Sequence, residues 1–208
     1  MQILTAIWGI FFLMALVGCI PYSIWIIRTA LKKRWKKLGM QLGVPAAFVA
    51  LLAGATAIAQ SYASDRYDRD CYGTDVKLGE PLFKYESQRA FNGDGASLCI
   101  YDLPEQIRHR FESPDARLLS EHPKRPYYRR DLQTVTWKEA PFDSGLEKYL
   151  KFALFAAGDR SAEIRDALSR KGTFYSFFHS DHGGSPGNVD FFVVDLQRGR
   201  IYEINVNT

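Results

Sequence analysis

Three residues with catalytic potential lie close together in the run HSDHGG, residues 179–184. Zinc accepts both imidazole nitrogen and carboxylate oxygen as ligands, so His179, Asp181 and His182 are candidate metal ligands of a hydrolase. The alternative is a loop between two strands, because two glycines end the run and a Pro-Gly pair follows soon after. The loop is the favoured interpretation, and no cofactor is assigned.

The order of these residues partly resembles the HxHxDH motif of metallo-β-lactamase-like hydrolases. The resemblance covers six residues, and Phe177 stands where that motif has its first histidine, so no residue role is carried over. The chain contains no HExxH or P-loop motif. We therefore expect a protein that is not an enzyme, and keep a metal-dependent envelope hydrolase as an alternative.

Cationic and aromatic residues are mixed in the run HPKRPYYRR, residues 122–130. Tyrosine and arginine are the residue types that often dominate protein interfaces. The run is therefore a candidate surface for a protein partner, and the alternative is a solvated loop. The candidate residues are Lys124, Arg125, Tyr127, Tyr128, Arg129 and Arg130.

A second basic run lies between two long uncharged stretches, residues 3–27 and 38–64. Each stretch exceeds the roughly 20 residues that a helix needs to cross a bilayer, which predicts transmembrane helices at about 3–27 and 38–62. Basic residues beside membrane helices are retained in the cytoplasm, so the loop 28–37 is predicted to be cytoplasmic. The N-terminus and residues 65–208 would then be periplasmic. The residues that determine this topology are Arg28, Lys32, Lys33, Arg34, Lys36 and Lys37.

Two smaller patterns lie within these predicted helices. The run LVGC, residues 16–19, fits a lipobox with Cys19 as the lipidated residue, but the uncharged start and the apolar residues that follow favour an ordinary helix. In the second helix, small residues recur at helical spacing and allow helices to approach closely in lipid. Packing against the first helix is favoured, and association with another chain is the alternative. These small residues are Gly39, Gly43, Ala50 and Gly54.

The predicted outer domain, residues 65–208, is nearly neutral. The chain has 27 basic residues and 23 acids; removing the six cations of the loop leaves 21 basic residues against all 23 acids, a net charge of −2. The basic character of the whole chain therefore comes from the loop, and nucleic acid is not an expected partner. Cys71 and Cys99 are the only cysteines of this domain, and in an oxidising compartment the pair predicts a disulfide.

Hydrophobic periodicity predicts an α+β fold for residues 65–208, with an antiparallel sheet and a helix pair packed on one face. Residues 61–75 are expected to form a polar exit from the membrane, residues 113–130 a loop, and 198–199 a two-residue hairpin turn. Strands are predicted at SLCIYDL, DLQTVTWKE, TFYSFFHS, NVDFFVVDLQ and RIYEINVNT, and helices at PEQIRHRF, FDSGLEKYLKFALFAAG and DRSAEIRDALSRKG.

This layout predicts a binding protein anchored in a bacterial inner membrane. The chain has no Asn-x-Ser/Thr sequon, which favours a periplasm over a eukaryotic lumen. The leading hypothesis is an immunity or inhibitor protein that neutralises an antibacterial toxin in the periplasm. The alternative is an accessory or structural subunit of a secretion or pilus assembly in the cell envelope.

Overall fold

A computed structural model of the protein describes residues 22–88, 90, 94–126, 129 and 131–208. The chain divides into two compact units, Met1–Gln60 and Ser61–Thr208. In the first unit a turn joins helix α1, residues 22–31, to helix α2, Trp35–Tyr72. The Tyr22 hydroxyl donates a hydrogen bond to the Gln41 carbonyl, which links the two helices. The six basic side chains around this turn are all exposed.

Among the described residues, α2 is the one helix long and apolar enough to cross a membrane, a test that a signal sequence near the N-terminus also passes. Large apolar side chains along it lack protein cover: Leu51 and Ile58 are each 73% exposed. Of the two predicted membrane helices, the described residues contain one candidate, α2. Residues 3–21 of the first predicted helix, including Cys19 and its lipobox, lie outside the described residues.

The sequence predicted a polar exit segment at residues 61–75. Helix α2 instead continues into the second unit as far as Tyr72. Its last carbonyl groups are satisfied by distant parts of the chain, as the end of a buried helix requires. The Asp70 carbonyl accepts hydrogen bonds from the Lys124 amide (2.8 Å) and the His122 ring (2.9 Å). The Cys71 carbonyl accepts one from Trp137 Nε1 at 2.9 Å.

The second unit is built on a six-stranded antiparallel sheet, which confirms the predicted α+β class. Neighbouring strands follow the order β1-β2-β6-β5-β4-β3, so β1 and β3 form the edges. The last three predicted strands are present and pair in sequence order as a meander, β4-β5-β6. The strands are β1 Phe83–Glu86, β2 Gly95–Asp102, β3 Gln133–Glu139, β4 Thr173–His182, β5 Ser185–Asp195 and β6 Arg200–Asn207.

Helices cover both faces of this sheet, whereas the sequence predicted helices on one face. On one face, α5 (Glu147–Ala157) and α6 (Ser161–Ala167) pack on apolar residues of β2, β4, β5 and β6. On the other face lie the end of α2, α3 (Glu105–Glu112) and α4 (Ala116–Glu121). Eight consecutive residues of β4, from 173 to 180, are buried, as expected for a strand covered on both sides.

Two connections also differ from the predictions. The segment 113–130 contains α4, which begins where Asp115 accepts a 2.7 Å hydrogen bond from the Leu118 amide. This is an N-cap of the usual kind, in which a carboxylate satisfies a free amide of the first turn. Strands β5 and β6 are joined by four residues, 196–199, rather than by a two-residue turn, with Gly199 at φ +63°.

Candidate functional site

The candidate metal ligands lie in strands rather than in a loop. Strand β4 extends to His182 and β5 begins at Ser185, so only Gly183 and Gly184 form the turn. Their φ angles of +61° and +89° lie in the left-handed region, which glycine adopts without strain. The favoured interpretation of residues 179–184 as a loop was therefore wrong for their first four residues.

The carboxylate of Asp181 is held by two side chains from the start of α5. Lys148 Nζ lies 2.8 Å from its Oδ2, and the Tyr149 hydroxyl donates to the same oxygen at 3.1 Å. The hydrogen bond from the Lys148 ammonium lowers the pKa of Asp181 below its ordinary value. Asp181, a candidate metal ligand in the sequence, is thus paired with the ammonium group of Lys148.

The two histidines of the run have different surroundings. His179 is buried, and its ring lies 4.2 Å from the ring of Tyr149, centroid to centroid. Burial lowers the pKa of His179, although the Asp181 carboxylate, 3.5 Å from its Nδ1, opposes this. The ring of His182 instead lies against Gly187 at the tip of the hairpin. Within the described residues, no group of three or more His, Cys, Asp or Glu side chains is arranged to hold a metal ion.

The run at residues 122–130 is only partly described, since Tyr127, Tyr128 and Arg130 lie outside the described residues. Lys124 is exposed, and its amide caps α2 as stated above. Arg125 donates to the Leu132 carbonyl at 2.8 Å, and Arg129 lies 4.0 Å from Asp131. The interface at this run stays a prediction.

Cys71 and Cys99 do not form the predicted disulfide: both are free thiols. Cys71 is completely buried at the end of α2 and hydrogen-bonds to Tyr67. Cys99 is half-buried in β2 and hydrogen-bonds to Tyr101. Each sulfur therefore has a hydroxyl partner of its own.

A largely buried carboxylate lies near both cysteines. Glu203 in β6 is the register partner of Cys99, and its Oε1 accepts a 2.8 Å hydrogen bond from the Tyr72 hydroxyl. The side chain of Glu203 is partly exposed, because it lines a small pocket of about 120 Å³. Burial raises the pKa of Glu203 to about 7, and the negative charges of Asp68 and Asp190 act in the same direction.

A groove of about 620 Å³ lies between the edge strand β1 and the corner that joins α5 to α6. Phe83 and Tyr85 line it from β1, and Phe155 lines it from α5. The ring of Phe155 is 88% exposed, and Tyr85 is 45% exposed. Concave surfaces that combine exposed aromatic rings with a few polar groups are typical binding sites. We call this the β1 groove.

Charged residues at the α5–α6 corner complete the β1 groove. The guanidinium of Arg160 lies 5.1 Å above the ring centroid of Phe83, and Arg160 Nη1 is 3.1 Å from Glu163 Oε2. The other oxygen of Glu163 accepts a 2.8 Å hydrogen bond from the Tyr202 hydroxyl. Asp159 is exposed, and its carboxylate has no hydrogen bond or ion pair with the residues that the structure describes.

The sequence prediction missed both the β1 groove and Glu203. A signal for the groove was present, because Phe155 lies outside the apolar stripe of α5 that includes Leu150 and Leu154. A large aromatic residue off the buried stripe of a helix indicates a partner or an exposed patch. No comparable signal existed for Glu203, since its burial follows from the layer of helices on the second face.

Comparison with known proteins gives no family assignment: no family model matches the chain, and neither a curated protein nor a solved structure is similar to it.

Proposed function

We propose that this protein is a binding protein anchored in the bacterial inner membrane, with its α+β domain in the periplasm. More specifically, we propose an immunity or inhibitor protein that neutralises an antibacterial toxin. The anchor is the apolar part of α2, at about residues 38–62, and the domain recognises a protein partner.

The observation that carries the proposal is the uncovered apolar surface of α2. Side chains such as Leu51 and Ile58 are exposed on a helix of membrane-spanning length, and burial in lipid removes this surface from water. The six exposed cations at its start match the positive flank that stays in the cytoplasm. The opposite end of α2 then carries the domain on the outer side.

The proposal of a protein partner is supported by the surface of the domain. The β1 groove presents the rings of Phe155 and Tyr85 to solvent, and aromatic side chains contribute strongly to protein interfaces. A protein that only binds a toxin needs such a surface and an anchor in the compartment that the toxin enters. This last step is an argument from layout.

The topology is tested by fusing green fluorescent protein or alkaline phosphatase to Thr208. We expect active phosphatase and no fluorescence, because this fluorescent protein does not mature after export through the general secretory pathway. The matched control replaces the six cations of the turn with glutamine, which should reduce the phosphatase signal and raise the fluorescence. A fluorescent wild-type fusion would refute the periplasmic location.

The immunity role is tested genetically. Deleting the gene should arrest growth in cells that make the cognate toxin and have no effect once the toxin gene is also deleted. The isolated toxin should bind the full chain in membranes. If the single deletion grows normally in the presence of every toxin delivered by the same strain, the immunity role is wrong.

An accessory subunit of an envelope assembly is the second candidate, and the small residues of α2 favour it. Among the described residues, no atom lies within 4 Å of where a Cβ would stand at Gly39, Gly43 or Gly54, so this face is open to another helix. Replacing Gly43 with leucine should then abolish cross-linking to the assembly, whereas Leu51→Ala should not. Loss of secretion or pili in a deletion strain that grows normally would favour this function.

A further inference from the structure

We infer that the β1 groove binds an extended segment of the partner protein, which adds to the sheet beside β1 and carries an apolar side chain and a basic side chain two residues apart. This inference rests on the proposed function and names the surface and the kind of segment that would be recognised.

The position of β1 makes strand addition possible. It is an outer strand of the sheet and pairs only with β2 in the part of the chain described here. One side of its backbone therefore has no strand partner there. Edge strands of this kind bind extended peptides by main-chain hydrogen bonds, and neighbouring pockets select alternate side chains. The four residues of β1 match a short segment rather than a whole domain face.

The apolar lining of the groove lies on the side where alternate residues of an added strand would project. Phe83 and Tyr85 are two residues apart and both line the groove, so they share one face of β1. A strand beside β1 would present its own alternate residues to the same face. Phe155, 88% exposed on α5, lies across the groove and would cover an apolar side chain inserted there.

The charge of the groove favours a basic residue as the second side chain. Arg160 and Glu163 neutralise each other at 3.1 Å, which leaves the carboxylate of Asp159 as the uncompensated charge. A lysine or arginine complements this carboxylate. The same charges disfavour an anionic lipid surface as the occupant.

The inference is tested on the full chain in phosphatidylcholine nanodiscs with two labelled synthetic peptides. One is acetyl-Thr-Phe-Thr-Lys-Thr-amide, and the other has glutamate in place of lysine. We expect the lysine peptide to slow hydrogen exchange of the β1 amides and to bind about tenfold more tightly than the glutamate peptide, a difference typical of one charge pair. No protection of β1 by either peptide, or equal binding of both, would overturn the inference.

Three variants identify the contacts. Phe155→Ala should weaken binding of the lysine peptide about tenfold, as for an interface hot spot. Asp159→Asn should remove most of the preference for the lysine peptide. Lys151→Ala is the matched control on the exposed side of α5 and should change neither value. Unchanged binding in both groove variants would refute the site, as would a photo-cross-linker at position 155 that labels only lipid.

Failure of this inference differs from failure of the proposed function. If Phe155→Ala and Asp159→Asn still neutralise the toxin while wild-type topology and neutralisation are as proposed, the partner binds elsewhere and only the inference is wrong. If the Thr208 fusion fluoresces, the function is wrong whatever the peptides do.

Discussion

The hydroxyl of Tyr72 donates a 2.8 Å hydrogen bond to Oε1 of Glu203, across 131 residues of sequence. Tyr72 is the last residue of α2, and Glu203 lies in the middle of β6, one of the two central strands of the sheet. The bond joins the end of the long helix to the sheet through a carboxylate whose neighbours Asp68 and Asp190 are also acidic. Ionisation of Glu203 is therefore unfavourable in the folded protein.

Glu203→Gln should stabilise the domain at neutral and alkaline pH. The folded pKa of about 7 exceeds the ordinary value of 4.5, so the folded state binds the proton more tightly than the unfolded state. This contribution to stability is fully present below pH 4.5, falls as pH rises, and is lost above pH 7. The glutamine variant should gain up to about 3 kcal/mol over wild type by pH 8. Chemical unfolding from pH 4 to pH 8 measures this difference.

The control for this experiment is Glu80→Gln, which removes an exposed carboxylate. Its stability relative to wild type should not change with pH between 4 and 8. A Glu203→Gln difference that is equally flat would show that the carboxylate ionises in the fold without cost.

Trp137→Phe should destabilise the domain by about 2–4 kcal/mol, because it leaves the buried Cys71 carbonyl without its donor and removes part of a packed indole. The indole also contacts Phe111, edge to face at 4.8 Å between ring centroids. Thermal unfolding followed by circular dichroism measures the loss. Trp35→Phe, at an exposed tryptophan, should leave the transition in place, and an equal loss in both variants would contradict the capping role.

Asp195→Ala should be among the most damaging changes outside the apolar core. The side chain is fully buried, accepts hydrogen bonds from the amides of Gln197 and Arg198 at 3.0 Å each, and pairs with Arg170 at 3.2 Å. Removing the buried carboxylate leaves these two amides without their acceptor and Arg170, which is 30% exposed, without this partner, and should cost about 3–5 kcal/mol. Asp166→Ala breaks ion pairs with Arg198 and Arg170, but its carboxylate is 54% exposed, so the change should cost less than about 1 kcal/mol. Equal losses in urea unfolding would refute the distinction.

Cys99 should react with a maleimide in the folded protein, whereas Cys71 should react only after unfolding. Cys99 is half-buried and lines the pocket beside Glu203, while Cys71 has no exposed surface. A Cys19→Ser background leaves these two thiols, and mass spectrometry of labelled peptides gives their relative rates. Recovery of a Cys71–Cys99 cross-linked peptide from native membranes would restore the disulfide hypothesis.

Local sequence patterns were enough to predict the helices and strands whose hydrophobic pattern lies within one short segment. The predicted helix PEQIRHRF corresponds to α3, whose buried residues Ile107 and Phe111 lie four apart on one face. The strand SLCIYDL corresponds to β2, and the last three predicted strands correspond to β4, β5 and β6. In each case the alternation or the helical stripe is contained in fewer than about a dozen residues, so no tertiary information is needed.

The number of helix and sheet layers in the fold could not be predicted from such local patterns. A run such as TFYSFFHS is apolar on both faces, which predicts burial but does not identify the covering elements. The second layer consists of α3, α4 and the end of α2, and the uncharged part of α2 predicted a membrane helix that ended before the domain. Similarly, strand periodicity places His179 and Asp181 on one face. The carboxylate of Asp181, however, is hydrogen-bonded by Lys148 and Tyr149, which lie more than 30 residues away in the sequence. Such long-range partners carry no local pattern.

The continuity of α2 from Trp35 to Tyr72 has a practical consequence for anyone who wishes to release the domain in water-soluble form. Cleavage just before Gly73 would strip Tyr72, Cys71 and Tyr67 from the interior and expose the apolar residues that they cover. A secreted version should start near Ser61, where the compact unit begins, and keep the final three turns of the helix. The long helix cannot be exchanged like a flexible tag, because its last residues belong to the fold of the second unit.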